Sequence, residues 1–121
     1  VLDDGADGIA LLDALLDRYG AGAAYVLVRN YGRGKDFSAY EASAAHARAM
    51  DLGAVAIDLP ELNASTMRKI DHGGVSLWAA AQSNLAGLGM MDRQRVRVWS
   101  GKVYQQLDRR APVLFTPAPA A

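Results

Sequence analysis

The chain has 121 residues, 51% of them hydrophobic and 21% charged, which suits one globular domain and excludes a disordered segment. Lys plus Arg and Asp plus Glu balance at 13 each, so no net field draws the chain to nucleic acid or to an anionic membrane, and any basic patch must be local. The absence of cysteine excludes disulfides and thiolate chemistry, no stretch of about 20 apolar residues could span a bilayer, and a reducing cytoplasm is the expected location.

Val1-Leu2 followed by Asp3-Asp4-Gly5 reads as the end of a strand and its loop, with Asp7 placed to cap a helix. Ile9, Leu12, Leu16 and Tyr19 recur at helical spacing, and Gly20 and Gly22 stop that helix. Tyr25 to Val28 is apolar without alternation, the pattern of a strand covered on both faces of a parallel sheet. Ligands of such sheets sit beyond the carboxyl ends of the strands, which makes Arg29 to Lys35 the expected functional edge.

Ser38 and Glu41 have the spacing of a capping box, opening a helix that should run to Leu52. Gly53 ends it, and Ala54 to Leu59 reads as a second strand closed by Pro60, which cannot donate to a ladder. Strand, helix and strand make one βαβ unit with a right-handed crossover. The remainder is helical. Asn63 or Ser65 caps a short helix through Met67 and Ile70 that stops at Gly73-Gly74, Ser76 caps another, and Asp92 opens the longest. Along that last helix Val96, Trp99, Val103 and Leu107 form an apolar stripe, while Arg93, Arg95, Arg97, Lys102, Arg109 and Arg110 make the rest basic. Trp78 and Trp99 are expected in the core. Residues 1–110 are expected to form the folded body and 111–121 a Pro/Ala-rich tail.

Gly32-Arg33-Gly34-Lys35 invites comparison with a phosphate loop. The spacing fails, however, and Asp36 stands where a Ser or Thr belongs, which favours a solvated turn. Asp3 and Asp4 stand where a magnesium-holding acid could sit but serve equally as helix-capping acids. His46 and His72 have no ligand-spaced partner, so no metal site or histidine triad is expected. Two strands are too few for a free-standing parallel sheet, and the chain opens on Val1 rather than methionine; both predict a fragment with strands upstream.

Tyr25 to Arg33, Leu59-Pro60 and Met91 to Trp99 together resemble the carboxyl-terminal half of ParA/MinD-type P-loop ATPases, in particular the plasmid StbB/TraL-like branch. The resemblance spans roughly Val1 to Arg110. It implies part of a doubly wound α/β, P-loop NTPase-like fold with a helical carboxyl-terminal part. It also implies a cytoplasmic, nucleotide-switched dimer serving plasmid maintenance or conjugative transfer, with ATP and Mg bound by the intact protein. A strand-end asparagine accompanied by arginine contacts the adenine in that family, and a proline after the next strand lies near the base. Arg29, Asn30, Leu59 and Pro60 are the matching residues, and no catalytic residue is expected in this chain. The phosphate loop would lie upstream, so the chain alone should neither hydrolyse ATP nor bind it tightly, and should associate with itself or with an amino-terminal half. The alternative is a non-enzymatic α/β interaction module that meets a protein or DNA through the basic helix 92–110.

Overall fold

The computed structural model describes residues 1–82 and 87–114. Residues 115–121, most of the expected tail, lie outside the described residues, whereas Pro112–Leu114 form a short 3-10 turn. The chain is mixed α/β and divides into two compact units, one comprising Val1–Leu59 with the chain from Gln106 onward, the other Pro60–Gln105.

In the first unit, α1 (Ala6–Tyr19) precedes β1 (Val26–Asn30), and α2 (Ser38–Glu41) and α3 (Ala44–Asp51) connect it to β2 (Val55–Leu59). The strands pair in parallel with Val26 opposite Val55 and Asn30 opposite Leu59. Leu2 forms a single parallel bridge to β1 on its other side, donating to the Val28 carbonyl at 2.7 Å and accepting from Asn30 N–H at 2.9 Å. The strand end expected at Val1-Leu2 is therefore this bridge.

Side chains alternate between faces of a sheet. On one face Leu27 joins Leu2, Leu12, Leu16, Phe37, Tyr40, Ala45 and Ala49 in a single core beneath α1, α2 and α3. On the other, Ile57 is buried while Val26, Val28 and Val55 are half-buried, so no strand residue is exposed on either face and the cover is less complete on this one. Leu12 and Leu16 form the buried stripe of α1, but Tyr19, expected to belong to it, is half exposed with the Arg18 guanidinium 5.4 Å over its ring.

Three local expectations fail in this unit. Asp7 lies within the first turn of α1 and Gly5 holds the cap position; Asp7 still favours the positive end of the helix dipole. The helix from Ser38 to Leu52 is broken after Glu41, because Ser43 starts a new one by accepting from His46 N–H at 3.2 Å. No capping box forms: both the amide and the hydroxyl of Ser38 donate to Asp36 Oδ1, and Glu41 is drawn to Arg29.

In the second unit, α4 (Ala64–Gly73), α5 (Leu77–Gln82) and α6 (Met90–Arg110, whose last turn from Gln106 belongs to the first unit) supply a separate core of Leu62, Ile70, Ala80, Ala81, Leu88 and Val96. Asn63 caps α4 by accepting from Thr66 N–H, Gly74 ends it at φ 63°, and Ser76 accepts from Ala79 N–H at the start of α5. The buried positions of α4 are Thr66 and Ile70, leaving Met67 outside. Trp78 is 73% exposed, against expectation, because Leu77, Ala80 and Ala81 occupy the inward face of a helix only six residues long.

Candidate functional site

The carboxyl ends of β1 and β2 bring two residue pairs into register, Arg29 beside Asp58 and Asn30 beside Leu59. Strand alternation puts these pairs on opposite faces. Arg29 grips Asp58 with two bonds, Nε to Oδ1 at 2.7 Å and Nη2 to Oδ2 at 3.2 Å, and its Nη1 donates to Glu41. The fork-to-fork geometry raises the Arg29 pKa, chiefly through Asp58, against partial desolvation. Arg29 thus anchors α2 to the sheet.

Asn30 builds the loop that follows it. Its Oδ1 accepts from Gly32 N–H at 3.0 Å, and its carbonyl accepts from the amides of Arg33 and Gly34, both at 3.0 Å. Tyr31 N–H donates to the Leu59 carbonyl at 2.9 Å, which carries the pairing one step past the strands. The Asn30 Nδ2 donors have no partner among the described residues. Pro60 follows directly as the first residue of the second unit, its carbonyl accepting from Trp99 Nε1 at 2.6 Å.

A phosphate cradle needs successive amides turned outward to an anion. From Gly32 to Gly34 they are bound internally by Asn30, and Lys35 N–H donates to Asp4 Oδ2 at 2.9 Å. Gly34 is pressed so closely on Asp4 that a Cβ there would stand 2.7 Å from the Asp4 nitrogen. Arg33 to Lys35 is consequently a loop folded onto Asp4, and these residues do not fit a nucleotide phosphate. Asp3 likewise serves its own turn, accepting from Gly5 N–H at 3.0 Å. Among the described residues no group of three His, Asp or Glu side chains gathers to hold a metal. His46 packs edge to face on Tyr40, with ring centroids 4.9 Å apart, and His72 lies in the last turn of α4.

The second unit holds a buried carboxylate that the sequence reading gave only a capping role. Asp92, 4% exposed, accepts from Thr66 Oγ1 at 2.6 Å, Lys69 Nζ at 2.8 Å and Gly89 N–H at 3.1 Å. The Lys69 ammonium is the largest cause, followed by Thr66, of a pKa held far below the usual carboxylate range. The sequence signal was the spacing: Asp92 lies four residues before Val96, on the apolar stripe of α6, where a carboxylate needs buried partners. Beside this anchor, a groove of about 280 Å³ runs between the segment Pro60–Asn63 and α6, floored by Val98 and Trp99.

Comparisons of the chain with family models, curated proteins and solved structures give no match. Among the described residues no helix is long and apolar enough to cross a membrane.

Proposed function

We propose that this chain is the base-recognition half of a ParA/MinD-like P-loop ATPase acting in plasmid maintenance or conjugative transfer, with Asn30 contacting the adenine and Leu59-Pro60 flanking it. The observation that carries the reading is the state of Asn30 at the strand ends. Its Oδ1 is committed to Gly32 N–H, which fixes the amide so that Nδ2 remains as a donor pair. Adenine N7 accepts from such a donor, and the second lone pair of Oδ1 can accept from the adenine 6-amino group, a two-bond match that guanine, with O6 in place of that amino group, does not offer. Arg29 holds Asp58 and Glu41 and supports the strand end beside Asn30.

ATP and Mg would be held through the phosphates by groups other than these, since the amides from Gly32 to Lys35 are engaged internally. The chain alone therefore has no hydrolytic activity and only weak nucleotide affinity. Adenosine and guanosine, titrated at millimolar concentration into the isotope-labelled chain and followed by amide NMR, test the reading. Adenosine is expected to shift Asn30, Tyr31 and Leu59, and guanosine to leave them in place. Asn30→Asp keeps the acceptor for Gly32 N–H but removes the donors, and should abolish the adenosine shifts. Equal responses to both nucleosides, or none to either, would refute base recognition.

A further inference from the structure

We infer that the groove of the second unit is a docking site for an extended acidic peptide segment of a partner protein, carrying one apolar side chain between its acidic residues. This inference is independent of the nucleotide reading, because every lining residue lies between Pro60 and Lys102.

Size restricts the occupant first. At about 280 Å³ the groove lies at the lower end of the range of roughly 300–1,000 Å³ usual for ligand sites, room for one or two side chains. Its floor is apolar and preformed. Trp99 is tied down by its indole N–H to the Pro60 carbonyl, and Val98, 47% exposed, leaves a hydrophobic surface uncovered. An aliphatic or aromatic anchor would bury that surface.

One wall carries charge. Arg95 and Lys102 lie two helical turns apart on the same side of α6, about 10.5 Å along its axis. Arg95 approaches Asp92 at only 3.6 Å, a weak pairing, and the Lys102 ammonium makes no hydrogen bond or ion pair among the described residues. Glu61 stands on the opposite lip. The two cations direct acidic side chains toward α6.

Duplex DNA fits less well. Tight phosphate recognition uses roughly 6–10 contacts, whereas this groove offers two cations around an apolar floor and an acidic lip.

Fluorescence anisotropy of a labelled pentapeptide, with leucine at its centre and glutamate at the other positions, tests the inference. Saturable binding weakened by salt is expected, and a control peptide with lysine in place of glutamate should not bind. Lys102→Glu combined with Arg95→Gln should weaken binding roughly tenfold or more while the circular dichroism of the fold is kept. Trp99→Phe tests the floor separately, and the Trp99 indole resonance should move on titration in the unaltered chain. Three results would overturn the inference: no binding at millimolar peptide, affinity indifferent to the two charge changes, or displacement of the peptide by a DNA duplex that binds more tightly through the same residues.

Discussion

Gln106 satisfies both main-chain groups of Asp58: its Oε1 accepts from the Asp58 N–H at 2.8 Å and its Nε2 donates to the Asp58 carbonyl at 2.6 Å. The side-chain amide takes the place of a neighbouring strand on the outer edge of β2, and Arg110 adds a bond to the Ala56 carbonyl at 3.2 Å. A two-stranded sheet with an open edge is a template for aggregation, and the last turn of α6 closes this one. Gln106→Ala is expected to cost about 1–3 kcal/mol in urea unfolding, the sum of two ordinary hydrogen bonds. Gln106→Glu keeps the acceptor but sets a carboxylate against the Asp58 carbonyl, and should not restore stability. Gln106→Ala stability indistinguishable from the unaltered chain would refute the edge-capping role.

Asp92 predicts an acid-sensitive second unit. Its pKa in the folded chain lies below that of the unfolded chain, so the carboxylate contributes stability that is fully present above the ordinary Asp value of about 3.9 and lost as pH falls below it. Asp92→Asn should lower the melting temperature at neutral pH and flatten its decline below about pH 4. Thr66→Val, which keeps the shape but removes the buried hydroxyl bonded to Asp92, should cost about 1–2 kcal/mol. An Asp92→Asn variant whose stability falls with acid as steeply as the original would place the acid sensitivity elsewhere.

What was legible in the sequence was local. The apolar runs before Asn30 and Leu59 gave both strands, and Asn63, Gly74 and Ser76 are helix boundaries whose chemistry lies within three residues of the element they start or stop. Long-range bonding overrode the local signal elsewhere. Ser38 and Glu41 have capping-box spacing, yet Asp36 satisfies Ser38 and Arg29, twelve residues away in sequence, takes Glu41. The roles of Gln106 and of Thr66 with Lys69 depend on partners 48, 26 and 23 residues distant, and no spacing rule reaches that far. Trp78 misled because a six-residue helix has too narrow a buried face to hold every apolar side chain it carries.

Two glycines should respond in opposite ways to the same substitution. Gly34→Ala forces a Cβ to within 2.7 Å of the Asp4 nitrogen and 2.9 Å of its Cβ, so Asp4 must withdraw from the Lys35 amide, at a cost of about 1–3 kcal/mol. Gly101 lies inside α6 with open space around it, and Gly101→Ala should add roughly 0.5–1 kcal/mol through helix propensity. Chemical denaturation of the two variants beside the original chain measures both signs at once.

The remaining edge of β1 leads to a prediction about assembly. Leu2 bonds only to Val28 carbonyl and Asn30 N–H, while the main-chain groups of Val26 and the N–H of Val28, which alternation turns to the same side, have no bond there among the described residues. Beside that stretch an apolar groove is lined by Val1, Leu11, Leu15 and Val26, and Leu11 is 59% exposed. Unpaired strand groups next to exposed aliphatic side chains favour burial against another chain. The chain is therefore expected to self-associate with rising concentration in sedimentation velocity. Val26→Lys, a charge placed on that edge, should reduce the associated fraction, whereas Tyr104→Lys, on an exposed position of α6, should leave it unchanged. A single monomeric species across the micromolar range, or equal effects of the two lysine variants, would remove the β1 edge as the contact surface.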